Sequence, residues 1–270
     1  MRRLASPLAS LLMAACSAPE PAPTPAPALA AELHGARVRQ TAIAVDGGPG
    51  RLLVAEFPPG ARLEVLPASV PLPLARIARA AAGHACTAVN GGFYDADGAM
   101  GWVVHGGLEA APLRPRGGSG VLLVDDGPRI VHRDQASGRP REALQSIDRI
   151  VDDGRSLVRA TARPDPDARS AVALRADGTV ILAIVFAEQA VARERPGRVE
   201  LGPASSTTGL SLAAWAELLA RPVADGGLAA TTALNLDGGY STAMAVHVGD
   251  LHLDVVAHRA TINALQACTR

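Results

Sequence analysis

The segment SAVALRADGTVILAIVF, residues 170–186, constrains the fold more than any other stretch of the chain. Two apolar runs flank Ala176-Asp177-Gly178-Thr179, and Asp-Gly is a preferred pair for the tight turn that joins antiparallel strands. The sequence therefore predicts a β-hairpin at this point.

Similar strand signals recur along the chain. Residues 36–70 contain three short apolar runs that are broken by GGPG and PPG, and GWVVHGG and SGVLLVDDGPRIVH have the pattern of hairpins. Residues 232–256 alternate between strands and glycine-containing turns. Only residues 73–83 and 211–220 have helical spacing, the second with Ser211 as N-cap and Pro222 after its end. We expect an α+β fold: one domain, residues 32–270, on a mixed, largely antiparallel sheet with a few helices.

The polar segment 134–169 interrupts this pattern, and we expect it to run over the surface and to contribute to the rim of a site. The whole chain has 270 residues and 48% hydrophobic residues, enough for one substantial core. It carries 26 basic and 26 acidic residues, and this balance argues against a nucleic-acid-binding protein. Aromatic residues make up only 3%, too few for a row of stacking platforms.

The N-terminus resembles a targeting segment. MRR precedes the apolar stretch LASPLASLLMAAC, which is too short to span a bilayer comfortably. Leu12 to Cys16 resembles a bacterial lipobox, so residues 1–15 are interpreted as a signal peptide and Cys16 as the lipidated residue. Residues 16–31 then form a Pro/Ala-rich tether. We expect an exported lipoprotein, anchored to the membrane by its lipid and facing the periplasm or the cell surface; the alternative is simple secretion with an unmodified Cys16.

The cysteines fit an exported protein. If Cys16 carries lipid, Cys86 and Cys268 remain, an even number in an oxidising compartment. A disulfide between them would secure the C-terminal end of the domain. The alternative is two unpaired, partly buried thiols.

The stretch LNLDGG, residues 234–239, has two interpretations. If residues 233–237 form a strand, Asn235 and Asp237 face one side of the sheet and the leucines face the other. Gly238 and Gly239 allow a ligand to approach the backbone closely. The segment is then either a hairpin turn or a carboxylate presented to a ligand.

The stretch AVNGGFYD, residues 88–95, has the same layout, since Asn90-Gly91-Gly92-Phe93 resembles Asp237-Gly238-Gly239-Tyr240. If the two segments meet in space, they bring Asn90, Asn235 and Asp237 together beside bare backbone N–H groups that can bind an anion. Asp95 is a candidate second carboxylate, although with Asp97 and Gly98 it also fits a solvated turn.

Four stretches, AVNGGFYD, LQSIDRIVDDGR, ARSAVALRADGTVIL and LNLDGGYSTAM, resemble the ordered blocks of the phosphodiester glycosidase domain family. The resemblance spans about residues 40 to 250. Tyr240 departs from the family pattern, which has a small residue there. Ile147-Asp148 replaces a common Gly-Pro, and the glycine usual after the apolar pair of SAVAL is missing.

The resemblance implies a function and a set of residues. The enzymes of this family hydrolyse the bond between a sugar anomeric carbon and a phosphate oxygen, here of the GlcNAc-1-phosphate type in envelope or extracellular glycans. It implies catalytic roles for Asp237, Arg169 and Asn90, with Arg169 holding the phosphate. The expected substrate-binding residues are Asn235, Gly91, Gly92, Gly238, Gly239, Ser241, Thr242 and Asp95.

The alternative function is a non-catalytic carbohydrate- or phosphate-binding envelope lipoprotein on the same fold. No cofactor is expected, and no His/Cys/Asp spacing indicates a zinc site. GDLHLD, residues 249–254, is more simply a hairpin than a cation site. His105 is a possible proton donor, but a lone histidine beside two valines is more often structural. The expected partners are a sugar-phosphate diester and, through the lipid, a membrane, but no nucleic acid.

Overall fold

The computed structural model describes residues 28–46, 48–78, 84–159 and 165–269. Most of these residues lie in strands. In chain order the strands are β1 (Ala28–Leu33), β2 (Ala36–Val45), β3 (Gly48–Phe57), β4 (Arg62–Leu72), β5 (Ala85–Asn90), β6 (Tyr94–Asp95), β7 (Gly98–Ala99), β8 (Val103–His105), β9 (Leu108–Ala111), β10 (Gly120–Val124), β11 (Pro128–His132), β12 (Glu142–Ser146), β13 (Asp148–Asp152), β14 (Arg155–Ser156), β15 (Arg169–Leu174), β16 (Val180–Ala187), β17 (Val191–Arg195), β18 (Arg198–Leu201), β19 (Thr232–Asn235), β20 (Met244–Val248), β21 (Leu251–Val256) and β22 (Thr261–Thr269).

Helices are few. The α-helices of the described ranges are α1 (Leu74–Ile77) and α2 (Leu212–Ala220). Single turns of 3₁₀ helix lie at Arg133–Gln135, Glu188–Ala190, Pro203–Ser206, Val223–Asp225 and Gly239–Ser241.

The strands form three large sheets and one small pair. The first sheet has the order β1-β2-β3-β16-β15-β19-β13-β14, the second β17-β18-β21-β20-β5-β22-β4 and the third β11-β10-β12-β8-β9. Strands β6 and β7 pair only with each other. Among the described strands, β18 and β21 form the one parallel pairing. The largely antiparallel pairing and the small number of helices are confirmed, but the fold is mostly β and has several sheets, so it is richer in strand than the predicted α+β class.

One hydrophobic core joins the inner faces of the three sheets, as shown by Leu182 of the first, Val89 of the second and Leu144 of the third. The outer face of the first sheet is also covered, because Trp215 of α2 packs against it together with Ile181 and Val185 of β16. Burial on both faces explains why β16 is apolar at every position. The predicted hairpin of β15 and β16 is thus the centre of the first sheet.

One of the two predicted helices is much shorter than expected, so the domain contains less helix than predicted. Helix α2 begins as predicted after Ser211, whose hydroxyl accepts from the Ala214 N–H at 3.2 Å. The helix predicted over 73–83 is a single turn, α1, and residues 79–83 lie outside the described ranges. Because α2 is the one described α-helix longer than a single turn, the three sheets form most of the domain.

The prediction that the polar segment 134–169 runs over the surface is wrong at β12. All five residues of β12 are buried within the third sheet. Its Glu142 carboxylate accepts from the backbone N–H groups of Val65 at 3.0 Å and Gly106 at 3.1 Å. These hydrogen bonds offset the cost of burying a charged side chain, and hydropathy alone cannot reveal them.

Cys86 and Cys268 face each other on β5 and β22 and form a disulfide, the first of the two alternatives for these residues. The predicted signal peptide, Cys16 and residues 17–27 of the predicted tether lie outside the described ranges, while residues 28–31 belong to β1. None of the described helices has the length and apolarity needed to cross a membrane.

Candidate active site

The two glycine-pair segments meet between the first and second sheets. Asn90 ends β5 of the second sheet and Asn235 ends β19 of the first. The Asp237 N–H donates to the Gly91 carbonyl at 3.0 Å, and Asn90 Nδ2 donates to the Asp237 carbonyl at 2.5 Å. Because β19 and β20 lie in different sheets, the segment after Asn235 is a crossing between sheets and not a hairpin turn.

A pocket of about 560 Å³ opens where the two segments meet. Carboxylates, arginines and aromatic rings share its wall. The lining residues are Phe93, Tyr94, Asp95, Asp165, Asp167, Arg169, Ser206, Asn235, Asp237, Gly238, Gly239, Tyr240, Ser241 and Arg259.

Asp237 presents a half-buried carboxylate to this pocket. The strand alternation places it there with Asn235, while Leu234 and Leu236 enter the core on the other side. Burial raises the pKa of Asp237 to about 6, and hydrogen bonds from the Ser241 hydroxyl and the Gly238 N–H oppose this rise. The carboxylate is therefore mostly ionised at neutral pH but takes up a proton just below it.

Asn235 lies deep in the same pocket. Its side chain is 1% exposed, and its Oδ1 accepts no hydrogen bond from any described residue. A buried amide oxygen without a donor is costly, whereas a ligand hydroxyl that reaches it would satisfy it.

Asp167 and Arg169 form the part of the wall beside Gly238 and Gly239. Burial raises the pKa of Asp167, and the Arg169 guanidinium, 3.3 Å away, acts against this rise. Arg169 is 7% exposed. Its Nε donates to the Leu210 carbonyl at 2.8 Å, and its Nη2 donates to the Asp165 carbonyl at 2.9 Å. Arg169 thus reaches the pocket while it holds the 165–167 segment in place.

Asn90 lies behind the pocket and does not line it. Its side chain is fully buried, and its Oδ1 accepts from the Ser170 hydroxyl at 2.7 Å and the Ala243 N–H at 3.0 Å. With the bond from Nδ2 to Asp237, this amide connects β5 to β15 and to the crossing that carries Asp237. Asn90 is placed to position Asp237 rather than to touch a ligand.

Gly91 and Gly92 also lie outside the pocket, and their N–H groups are not available to an anion. Both donate to Asn263: the Gly91 N–H to its backbone carbonyl at 2.9 Å, and the Gly92 N–H to its side-chain Oδ1 at 2.7 Å. A Cβ at Gly91 would lie 1.8 Å from Asn263 Oδ1. Glycine is needed here for close packing of the chain against itself, and the expected anion site of bare N–H groups does not form.

The remaining predicted site residues divide between rim and interior. Gly238, Gly239 and Ser241 line the pocket, and Gly239 has a left-handed φ of 56°. Thr242 is fully buried and outside the pocket. Asp95 lies at the exposed rim, where its Oδ1 also accepts from the Asp97 N–H at 2.9 Å, as in the alternative turn. His105 lies away from the pocket, 3.2 Å from Glu142.

Seven lining residues were not predicted as site residues: Phe93, Tyr94, Asp165, Asp167, Ser206, Tyr240 and Arg259. Arg259 lies between β21 and β22, where its N–H donates to the Tyr240 carbonyl at 2.8 Å. The Tyr94 hydroxyl donates to the next carbonyl, that of Ala260, at 2.5 Å. Most of them lie near predicted residues in the sequence: Phe93, Tyr94 and Tyr240 follow the glycine pairs, and Asp165 and Asp167 precede Arg169. Ser206 and Arg259 had no such signal, because only the tertiary structure brings them to the pocket.

A larger cleft of about 1070 Å³ lies at the other end of β5, around the disulfide. We take the smaller pocket as the active site because it contains both carboxylates with raised pKa and the unsatisfied Asn235 oxygen. The described residues contain no cluster of three or more His, Cys, Asp or Glu side chains arranged to hold a metal ion.

The sequence model of the phosphodiester glycosidase family (NAGPA) matches residues 83–266, a range that contains both glycine-pair segments and Arg169. No curated protein matches the chain.

Two solved structures have a similar fold. One is the zebrafish N-acetylglucosamine-1-phosphodiester alpha-N-acetylglucosaminidase (NAGPA) catalytic domain auto-inhibited by pro-peptide, with a TM-score of 0.58 and 16% identity over 87% of this chain and 83% of that chain. The other is a hypothetical protein from Synechocystis, with a TM-score of 0.54 and 18% identity over 87% of this chain. The match spans 62% of the Synechocystis protein. At these identities the likeness concerns the fold alone.

Proposed function

The chain belongs to the phosphodiester glycosidase family, and we propose that it hydrolyses the bond between a sugar anomeric carbon and a phosphate oxygen. The observation that carries this proposal is the Asp237 carboxylate, which faces a sugar-sized pocket with a pKa of about 6. The proposed substrate is a GlcNAc-1-phosphate diester of an envelope or extracellular glycan.

The leaving group explains why one well-placed carboxylate can suffice. A phosphate ester is a weak base, so its departure needs less protonation than that of an alcohol. Positive charge develops at the anomeric carbon in the transition state, and an ionised Asp237 stabilises it, either as nucleophile, as base for water or through its charge. Asp167, whose pKa is also raised and whose charge raises the pKa of Asp237, is a further group that can exchange a proton.

The pocket offers a place for the sugar as well. Asn235 lines the pocket, and a hydrogen bond between its amide and a sugar hydroxyl would discriminate against ligands without that hydroxyl. Asn90 holds the Asp237 backbone from behind. The phosphate-binding role of Arg169 stays a prediction, since its guanidinium contacts Leu210, Asp165 and Asp167 of the wall.

We further propose that the domain acts outside the cytoplasm as a lipid-anchored protein. The disulfide between Cys86 and Cys268 supports an oxidising compartment. The lipobox-like residues that end at Cys16 support the anchor.

Turnover of N-acetylglucosamine 1-(methyl phosphate) by the wild type and by Asp237→Asn tests the proposed activity. Asparagine keeps the shape of the side chain and removes its charge, so kcat/KM should fall by at least about 1000-fold. Asp250→Asn, in the exposed turn between β20 and β21, is the matched control and should act as the wild type does. Equal turnover in all three proteins, or none in the wild type, would leave the non-catalytic binding protein as the better account.

A further inference from the structure

The two arginines of the pocket differ in what surrounds them. Arg169 is almost fully buried and paired with Asp167 at 3.3 Å. Arg259 is exposed at the rim, and its guanidinium forms no ion pair with a described carboxylate. An unpaired cation at the mouth of an acidic pocket is the arrangement expected of an anion-binding group.

The guanidinium of Arg259 is seated on an aromatic ring. Its central carbon lies 4.5 Å from the centroid of the Tyr240 ring. A guanidinium over an aromatic face is held by a cation–π contact and still has N–H groups that can donate to a ligand. Those N–H groups match the spacing of two phosphate oxygens.

The loop that carries Arg259 is fixed to the wall on both sides. The Arg259 N–H donates to the Tyr240 carbonyl at 2.8 Å, and the Tyr94 hydroxyl donates to the Ala260 carbonyl at 2.5 Å. The His258 ring also lies against Tyr240, with ring centroids 5.3 Å apart. The position of Arg259 is therefore set before a ligand arrives, which lowers the entropic cost of binding.

Charge balance requires a cation at this place. Asp237, Asp167, Asp165 and Asp95 line the pocket, and the Arg169 charge is already opposed by Asp167. A phosphodiester anion that brings its sugar to Asp237 would be repelled by these carboxylates. Arg259 is close enough to Asp237 to lower the pKa of that carboxylate, so its field reaches the point where the bond breaks.

We propose that Arg259, seated on Tyr240, forms a phosphate subsite at the rim of the pocket and selects an anionic phosphodiester over a neutral aglycone. This inference rests on the proposed function for the identity of the sugar. The sugar then lies toward Asn235 and Asp237, the phosphate lies at Arg259, and the second ester group points to solvent. Tyr240, which departs from the family pattern, serves as the seat of the arginine.

Arg259→Gln tests the subsite by its selectivity. We expect kcat/KM for N-acetylglucosamine 1-(methyl phosphate) to fall about 100-fold, because two charged hydrogen bonds are lost. The kcat/KM for 4-nitrophenyl N-acetyl-α-glucosaminide, whose aglycone is neutral, should change by less than about threefold. Tyr240→Ala should lower kcat/KM about tenfold for the phosphodiester alone, because the guanidinium loses its cation–π contact with the Tyr240 ring. Arg193→Gln, an exposed arginine on β17, is the matched control.

Binding separates this proposal from the activity. In the Asp237→Asn background, which prevents turnover, adding Arg259→Gln should weaken calorimetric binding of the phosphodiester at least about tenfold and leave methyl N-acetyl-α-glucosaminide unaffected. If the wild type hydrolyses nothing but binding still depends on Arg259, the proposed function fails and the subsite stands. Equal affinities, undetectable phosphodiester binding, or equal losses on both substrates would overturn the subsite.

Discussion

The segments Asn90-Gly91-Gly92 and Asp237-Gly238-Gly239 have the same layout in sequence and opposite places in the structure. The Asn90 amide is hydrogen-bonded to Asp237, Ser170 and Ala243, and it lies behind the pocket. The Asp237 carboxylate faces the pocket, where burial raises its pKa to about 6. The comparison shows that the hydrogen-bond partners of a polar side chain, and not the sequence pattern around it, distinguish a structural residue from a candidate catalytic residue.

Asn90→Ala should have the largest effect on stability. It removes the partners of Ser170, Ala243 and Asp237 at the junction of two sheets and leaves buried polar groups unsatisfied. We expect a loss of about 4 kcal/mol in the free energy of unfolding, measured by urea denaturation. Gln40→Ala, an exposed amide on β2, is the control and should change it by less than about 0.5 kcal/mol. Equal small losses in both variants would remove Asn90 from the framework.

Gly91→Ala should have the next largest effect. The added methyl group would lie 1.8 Å from Asn263 Oδ1, so the segments that carry Gly91 and Asn263 must separate. We expect a loss of about 3 kcal/mol in the free energy of unfolding, a large effect for overpacking by one methyl group. Gly127→Ala has open space around it and serves as the control. A stable Gly91→Ala variant would show that the close approach to Asn263 is not needed.

Asp237→Asn should change stability in the other direction. Because the pKa of Asp237 rises from 3.8 when unfolded to about 6 when folded, the folded state binds the proton more tightly, and the wild type loses stability as the pH rises from about 4 to about 6. The variant should therefore be about 3 kcal/mol more stable than the wild type at pH 7, and the difference should vanish below about pH 4. Urea denaturation at both pH values measures this. A variant that is less stable at pH 7 would mean that the carboxylate is well satisfied in the fold.

The comparison also marks what the sequence could predict. Alternation along residues 234–237 placed two polar side chains on one face, and the repeated glycine pairs indicated that two strand ends meet. Neither signal distinguishes an amide that bonds three protein groups from one with an unsatisfied oxygen, because Asn90 and Asn235 differ only in what folds around them.

The remaining features could not be predicted because they depend on contacts between residues that are far apart in the sequence. Arg259 reaches the pocket only because β21 and β22 place its loop beside Tyr240. Nothing in the local sequence HRAT, residues 258–261, indicates this contact. The buried strand β12 was predicted as surface because its Glu142 finds backbone donors that are 77 and 36 residues away in the chain. Local patterns predicted the strands, and the tertiary contacts determined the site.

Chemical rescue of Asp237→Ala tests the central claim most directly. If the Asp237 carboxylate acts at the anomeric carbon, its removal leaves space for a small carboxylate in the same place. Added sodium formate should then raise turnover of N-acetylglucosamine 1-(methyl phosphate) at least about tenfold over sodium chloride at equal ionic strength. A folded Asp237→Ala variant that turns over at the wild-type rate, or one that formate cannot rescue, would contradict the account.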